Sequence, residues 1–219
     1  MPSLAENLSS VRSRIAAACR RAGRDPSGVT LVAVTKTVGL EEVRTLRDLG
    51  VRDFGENRVQ DGLPKALALP EARWHFIGSL QRNKVRKVLS GFHVVHSVDS
   101  AELAAQVARV AEEATWHGEV LLEVNVAGEA QKGGIPAAEV EAFVRGLKGL
   151  AVSGLMTMAP LDPDPEKARP VFRRLRELQG SLGLRHLSMG MSQDFEVAVE
   201  EGATMVRVGT ALFEGIDKV

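Results

Sequence analysis

The order of apolar and polar residues begins with a single helical stripe. Its members, spaced three and four residues apart, are Leu4, Leu8, Val11, Ile15, Cys19 and Ala22. This spacing predicts an amphipathic helix near the N-terminus that buries one side. Because free cysteines are usually buried, we interpret Cys19 as a packed apolar residue, with a reactive thiol as the alternative. The glycine-bounded segment 23–28 ends this helix.

After this helix the chain alternates between short apolar runs and segments with helical spacing. Runs rich in valine and leucine predict eight strands, at residues 29–34, 52–55, 74–77, 93–97, 120–126, 152–156, 186–189 and 205–208. Helices are predicted between them, at residues 40–49, 58–69, 82–89, 100–116, 137–147, 167–182 and 195–201. The runs lack a strict alternation of polar and apolar residues, which is typical of parallel strands buried on both faces.

This repeated strand–helix order favours an α/β fold, a single (βα)8 TIM barrel preceded by the extra N-terminal helix. The alternative is a doubly wound open sheet. We disfavour it because such sheets usually have fewer strands and because no G-x-G-x-x-G motif follows the first strand. No linker or low-complexity segment divides the 219 residues, so we expect one domain spanning 1–219.

Composition narrows the function. The chain has 28 Lys and Arg against 28 Asp and Glu, so we expect neither nucleic acid nor a membrane surface as a partner. Its one cysteine permits no internal disulfide. The five histidines show no metal-ligand spacing with carboxylates, so no metal is predicted. Because no leader-like N-terminus or long apolar run is visible, we expect a cytoplasmic protein.

Barrel enzymes and binding proteins carry their chemistry at the carboxyl ends of the strands. Lys36 lies at the exit of the first predicted strand, in the sequence VAVTKT at 32–37. Partial desolvation at the mouth of a barrel favours the neutral amine, which can attack a carbonyl group. The alternative is a lysine whose charged end simply reaches water.

A phosphate site is predicted after the last two strands, where barrels commonly bind phosphate. Ser192 follows the seventh predicted strand in the N-cap position of a helix, where its hydroxyl and free backbone N–H groups can hold an anion. Gly209 and Thr210 end the eighth strand and offer close backbone approach and a second hydroxyl. Ordinary helix capping and a tight turn are the alternatives.

A carbonyl-capturing lysine opposite a phosphate site suggests a phosphorylated aldehyde as ligand. Two classes of protein fit, a Schiff-base aldolase acting on sugar phosphates and a protein that holds pyridoxal 5′-phosphate. Barrel aldolases usually carry the lysine on a later strand, so Lys36 on the first strand favours pyridoxal phosphate. Four further residues near predicted strand ends are candidates for contact with its ring: Asn57, His75, Ile77 and Met156. Ordinary barrel or core packing is the alternative for His75, Ile77 and Met156.

Six segments together resemble the pyridoxal phosphate homeostasis protein family. They are AVTK at 33–36, FGENRVQ at 54–60, WHFIGSLQRNK at 74–84, GLMTM at 154–158, LSMGMSQDF at 187–195 and VRVGT at 206–210. They follow one another in order over nearly the whole chain. The resemblance implies a barrel similar to the N-terminal domain of alanine racemase, a fold type III pyridoxal-phosphate protein, without that enzyme's second domain.

The same resemblance assigns roles to individual residues. It implies that Lys36 forms an internal aldimine, that Ser192, Gly209 and Thr210 hold the phosphate, and that Arg207 faces the pyridine nitrogen. An arginine there disfavours a protonated ring and makes it a weaker electron sink. The alternative for Arg207 is an ion pair inside the barrel, for example with Glu123.

The resemblance also implies a carrier in vitamin B6 homeostasis with little or no turnover, and apo-enzymes as recipients of the cofactor. Two enzymes remain as alternatives, an amino-acid racemase and a phosphosugar aldolase. The chain contains no tyrosine, the usual second base of alanine racemase-like enzymes, although His75 could replace it. Because the dimer-forming racemase domain is missing, we expect a monomer. The basic run 81–87 is either a solvated helix face or a partner surface.

Overall fold

The computed structural model describes residues 3–129 and 133–217 and contains a closed barrel of eight parallel strands. The barrel strands are β1 (Thr30–Val34), β2 (Asp53–Glu56), β3 (Arg73–Phe76), β4 (Val94–Val98), β5 (Glu119–Asn125), β7 (Val152–Met156), β8 (His186–Ser188) and β9 (Met205–Val208). Pairing of β1 with β9 and of β4 with β5 completes the ring. A two-residue strand, β6 (Ile135–Pro136), pairs with β5 alone. The predicted barrel is therefore confirmed.

Helices connect the strands and cover the outside of the barrel. They are α1 (Leu4–Arg21), α2 (Leu40–Asp48), α3 (Val59–Ala68), α4 (Val85–Leu89), α5 (Ala101–Glu113), α6 (Val140–Gly146), α7 (Arg169–Leu182) and α8 (Phe195–Glu200). Short 3-10 turns, Arg82–Lys84 and Pro165–Ala168, precede α4 and α7, so these helices start later than the sequence predicts. The sequence pattern missed β6 because two residues carry no periodicity.

Because successive side chains of a strand point to opposite faces of the sheet, the apolar core has two parts. On β3, Trp74 and Phe76 point outward into the layer between strands and helices, where the Trp74 ring lies 5.4 Å from that of Phe54. A separate apolar cluster fills the inside of the barrel: Val32, Val94, Leu121, Met156 and Met205. The barrel is therefore packed with side chains rather than open as a pore, and a ligand has to bind at its end.

Helix α1 is the extra N-terminal element and supports one end of the barrel. Ser3 and Glu6 form a capping box at its start. The Asn7 side chain donates to the carbonyl oxygens of Leu212 and Glu214, which fixes the segment that leaves β9. Cys19 is completely buried, as the sequence predicts for a packed residue.

None of the helices in the described part of the chain combines the length and the apolarity that crossing a bilayer requires.

Candidate functional site

A cavity of about 900 Å³ opens at the carboxyl ends of the barrel strands. This volume lies within the range of pockets that enclose small ligands. Seven of the nine residues predicted for the site line it: Lys36, Asn57, Ile77, Ser192, Arg207, Gly209 and Thr210. Arg207 lies on β9, and the others come from the loops after β1, β2, β3, β8 and β9, which are far apart in sequence but meet because parallel strands end together.

Hydrogen bonds fix the backbone and side chain of the residue that precedes Lys36. The preceding Thr35 is buried, and its hydroxyl donates to Glu56 Oε1 at 2.7 Å. Lys65 of α3 donates to the same oxygen at 2.7 Å and to the carbonyl oxygen of Thr35 at 2.9 Å. This buried ion pair holds the exit of β1 in place. Lys36 itself is exposed, so the expectation that it is partly desolvated is wrong for this structure.

Two backbone amides converge on the Ser192 hydroxyl. The N–H groups of Gly209 and Ala211 donate to Ser192 Oγ at 3.3 and 3.2 Å. These two donors are therefore aimed at one point, where an oxygen atom already lies. An anion that entered beside Ser192 and Thr210 would meet the same donors, and this is how loops of barrel proteins bind phosphate.

The sequence predicted that Ser192 is the N-cap of a helix, but the structure does not place it there. Helix α8 begins three residues later, and Asp194 is its N-cap. The Asp194 carboxylate accepts the N–H of Met191 at 2.6 Å and closes the loop that precedes the helix. Because Asp194 takes the capping position, Ser192 Oγ is left to face the loop after β9 instead.

Two glycines bring these loops close to Lys36. A side chain on Gly209 would place its Cβ 3.2 Å from the carbonyl oxygen of Val34, so glycine lets the loop after β9 pack against the end of β1. Gly190 has φ +90°, and a Cβ there would lie 2.5 Å from that of Ala198. A side chain at position 190 would clash and would need a positive φ, and one at position 209 would be packed tightly against β1, which explains how the phosphate-binding loops approach the strand that carries Lys36.

Arg207 is a buried cation at the floor of the cavity. Its Nη1 donates to Ser188 Oγ at 2.6 Å, and its Nη2 donates to the carbonyl oxygen of Thr157 at 3.0 Å. Burial lowers its pKa to about 10, so it stays charged at neutral pH. Within residues 3–129 and 133–217 it forms no direct ion pair, but the charges of Asp194 and Glu123 act on it without contact.

The structure does not bring His75 and Met156 to the cavity. His75 is completely buried inside the barrel, with its ring nitrogens 3.0 Å from Asp53 Oδ1 and 2.8 Å from His96 Nε2. Met156 belongs to the apolar cluster that fills the barrel. The structure therefore places both in the packed interior and not in the cavity lining, and contact of either side chain with a ligand ring stays a prediction.

Six carboxylate residues that were not predicted for the site also line the cavity, and Asp99 and Glu123 are the two of them at the end of the barrel that β4 and β5 form. Burial and the neighbouring Asp99 raise the pKa of Glu123. Asp99 follows a predicted strand, so the rule that strand ends carry function could have found it, whereas Glu123 lies inside the predicted strand 120–126. Among the described residues, no group of three or more His, Cys, Asp and Glu side chains is arranged to hold a metal ion.

Comparison with known proteins gives the family. The sequence profile of the alanine racemase N-terminal domain matches residues 7–216. The pyridoxal phosphate homeostasis protein of Aquifex aeolicus is 45% identical, over 95% of this chain and 96% of that protein. The protein of the same name from Pseudomonas aeruginosa is 43% identical, over 99% of this chain and 97% of the relative.

A solved structure gives the same answer. PipY of Synechococcus elongatus, determined with pyridoxal phosphate bound, superposes with a TM-score of 0.82 at 37% identity. The match covers 96% of this chain and 100% of PipY. The resemblance found in the six sequence segments is thereby confirmed. The chain belongs to the pyridoxal phosphate homeostasis protein family, with the fold of the alanine racemase N-terminal domain.

Proposed function

We propose that this chain binds pyridoxal 5′-phosphate in the cavity, holds it covalently on Lys36 and serves vitamin B6 homeostasis with little or no turnover. The observation that carries the proposal is the meeting of an exposed lysine, two convergent amides and a buried arginine in one cavity. Residues 1–219 would act as one domain, since the single barrel supplies every residue of this site.

The residues present fit the phosphate of this cofactor. Its anionic oxygens would replace the Ser192 hydroxyl as acceptors of the Gly209 and Ala211 amides, with the Thr210 hydroxyl beside them. Backbone amides cost little to reorganise because they are already oriented. This arrangement explains why the site needs glycine at 209, where the loop backbone packs against β1.

The fit extends to the ring and the aldehyde. When bound, pyridoxal phosphate supplies an aldehyde that condenses with an amine, releasing water, and a ring that spreads negative charge. Lys36 would provide that amine from the end of β1. Arg207 can only donate hydrogen bonds, so it would donate to the pyridine nitrogen and keep a proton off it. A ring held in this way is a weaker electron sink than one paired with a carboxylate.

A second catalytic base is missing for racemisation. The chain has no tyrosine, and His75, the histidine that could replace one, lies inside the barrel with both ring nitrogens occupied by Asp53 and His96. This argues against the racemase alternative, and the exit of Lys36 from β1 argues against the aldolase. That the chain is a monomer and passes its cofactor to apo-enzymes stays a prediction.

The test is direct. Purified protein mixed with pyridoxal phosphate should develop the visible absorption band of a Schiff base, and borohydride should then fix the ligand on the peptide that contains Lys36. Incubation with amino acids in deuterium oxide should give no sustained exchange at the α-carbon. A protein that takes up no ligand would overturn the cofactor proposal, whereas exchange with inversion would make the chain a racemase.

A further inference from the structure

A continuous line of hydrogen bonds crosses the inside of the barrel from the start of β2 to Arg207. Asp53 Oδ1 lies 3.0 Å from His75 Nε2, and His75 Nδ1 lies 2.8 Å from His96 Nε2. His96 Nδ1 lies 2.8 Å from Ser188 Oγ, which accepts from Arg207 Nη1 at 2.6 Å. The line joins five strands that the sequence separates by up to 154 residues. We call these five residues the barrel relay.

The barrel relay is almost completely shielded from water. His75, His96 and Ser188 have no exposed surface, and Arg207 is 4% exposed. Asp53 is the only member with substantial exposure, 19% of its side chain. The relay therefore has a buried cation at one end and a carboxylate at the other, with three groups between them that can each both donate and accept.

These groups allow one arrangement when both histidines are neutral and Asp53 is ionised. The Asp53 carboxylate can only accept, so His75 must donate to it from Nε2. His75 Nδ1 is then an acceptor, and His96 donates to it from Nε2. His96 Nδ1 in turn accepts the Ser188 proton, which leaves the Ser188 oxygen free to accept from Arg207.

Burial supports the neutral form of both rings. Desolvation lowers the pKa of His75, and desolvation together with the charges nearby lowers that of His96 much further. Any arrangement in the opposite direction would place an unprotonated His75 nitrogen against the Asp53 carboxylate. The carboxylate at the start of β2 therefore sets the direction of every hydrogen bond up to the Arg207 guanidinium.

We propose that Asp53, His75 and His96 are positioning residues that act through Ser188 to hold the Arg207 guanidinium in one orientation toward a ligand ring. This inference rests on the proposed function, because the ring is that of pyridoxal phosphate. Arg207 is held at Nη1 by Ser188 and at Nη2 by Thr157, so its remaining N–H groups have a fixed direction. A guanidinium fixed in this way binds an acceptor without losing side-chain entropy.

The first test needs no cofactor. Nitrogen-15 NMR of the histidine rings in the ligand-free protein should show His75 and His96 neutral, each with its proton on Nε2. Asp53→Asn keeps the shape but can also donate, so it should give mixed tautomers at both rings. A His75 or His96 proton on Nδ1 in the unaltered chain, or tautomers unchanged by Asp53→Asn, would overturn the direction of the relay.

The second test connects the relay to the ligand. Ser188→Ala should shift the absorption band of bound pyridoxal phosphate and weaken binding about tenfold, the loss expected for one charged hydrogen bond. Ser97→Ala is the matched control, because the Ser97 hydroxyl is equally buried on β4 and has no partner in the described structure. It should leave both the band and the affinity unchanged.

The outcomes separate the two proposals. If no variant or parent protein binds pyridoxal phosphate while the tautomers are as expected, the proposed function fails and the relay stands as a structural device only. If the parent binds it but Ser188→Ala and Asp53→Asn leave the band and affinity unchanged, the positioning role fails and the cofactor proposal survives. A loss of fold in Ser188→Ala is distinguished by the amide spectrum, and Asp53→Asn then carries the test.

Discussion

The starts of the strands and the cavity at their other end differ in how charged side chains are paired. At the amino ends of the strands, Glu119 meets Arg73 at 2.5 Å and Arg185 at 3.2 Å. At the carboxyl ends, the Lys65–Glu56 pair fixes the backbone before Lys36, whereas Lys36, Asp99 and Glu123 face one cavity and form no ion pair within the described residues. Charges that satisfy one another stabilise a fold, whereas charges held apart around a cavity are available to a ligand.

This contrast teaches where stability and binding are separated in the molecule. At the amino end the charged residues contact one another, so substitution of one of them should change the free energy of unfolding and leave ligand binding intact. Substitution of a residue that lines the cavity should weaken ligand binding and leave the free energy of unfolding nearly unchanged. Between the two ends lies the barrel relay, which is paired within the chain like the amino end and connected to the cavity at the carboxyl end, and which should affect both properties.

The largest expected effect is at the carboxyl end, on Lys36. Lys36→Arg keeps the positive charge but removes the nucleophilic amine, so borohydride should fix no pyridoxal phosphate on the protein. Because Lys36 is exposed, the free energy of unfolding should change by less than about 0.5 kcal/mol. Mass spectrometry after reduction and urea unfolding measure the two quantities.

Lys87→Arg is the matched control, since Lys87 is also exposed but lies on the basic segment away from the cavity. It should retain full labelling. Labelling of Lys36→Arg at another lysine would show that the covalent site was assigned to the wrong residue, and a large loss of stability would show that the two ends are not separable.

The second prediction concerns the loss of stability at low pH, which depends on the histidines buried inside the barrel. Burial lowers the pKa of His75 and His96 below the ordinary 6.5. The unfolded chain therefore takes up protons near 6.5 while the folded chain does not, and the free energy of unfolding falls as the pH drops below that value. Each histidine contributes up to about 1.4 kcal/mol per pH unit until its folded pKa is reached.

Urea unfolding at a series of pH values between about 7 and 5 measures this slope. His96→Gln should flatten it, because the variant lacks the histidine whose pKa is lowered furthest among His75, His93, His96 and His186. His117→Gln, at an exposed position, should leave the slope as it is. A stability that is constant over this range in the parent protein would contradict the neutral, buried state of the two rings.

The sequence predicts the fold and most of the site for one physical reason. Strands buried on both faces leave a clear apolar signal, and a barrel places the residues that follow them at one end. Lys36, Gly209 and Thr210 are found in this way without any knowledge of their neighbours. The predicted and observed bounds agree for β7 and β9.

The sequence does not show how far below the cavity an inward-pointing side chain lies inside the barrel. His75 comes two residues before Ile77, so both point inward, yet only Ile77 reaches the cavity while His75 lies one layer deeper. The N-cap was misplaced for a similar reason, because Ser192 and Asp194 are both good capping residues and only tertiary contacts select between them. The barrel relay combines both difficulties, since its members meet across five strands.

The third prediction tests the amino end. Burial opposes the ionisation of Glu119, but the charges of Arg73 and His186 and the hydrogen bonds from Arg73 and Ser153 together outweigh it and keep the carboxyl pKa below 4.5. Glu119→Ala leaves Arg73 and Arg185 without their partner and should lower the free energy of unfolding by about 2 kcal/mol, less than for a fully buried pair. The affinity for pyridoxal phosphate should not change. Urea unfolding and a binding titration report the two values.

Glu41→Ala is the control for this change, since the Glu41–Arg44 pair is exposed and should contribute less than about 0.5 kcal/mol. The sign with pH follows from the lowered pKa. The contribution of Glu119 is complete above its unfolded pKa of about 4.5 and disappears as the pH falls through the lower folded value. If Glu119→Ala weakened binding as much as it weakened folding, the two ends would not be independent.

The smallest effect on binding is expected at Ser192, whose hydroxyl contributes to the cavity but little to the stability of the barrel. Ser192→Ala removes a hydroxyl that accepts from Gly209 and Ala211 but leaves those amides facing the cavity. The affinity for pyridoxal phosphate should fall by about tenfold, the equivalent of one hydrogen bond to a charged group, because the amides can still bind the phosphate. Inorganic phosphate should compete with the cofactor in both proteins and less strongly in the variant.

Ser79→Ala, which removes a hydroxyl from the other side of the same cavity, is the matched control and should change phosphate competition little. If Ser192→Ala bound as tightly as the parent, the phosphate would lie elsewhere in the cavity, and the convergent amides would be only part of the loop structure.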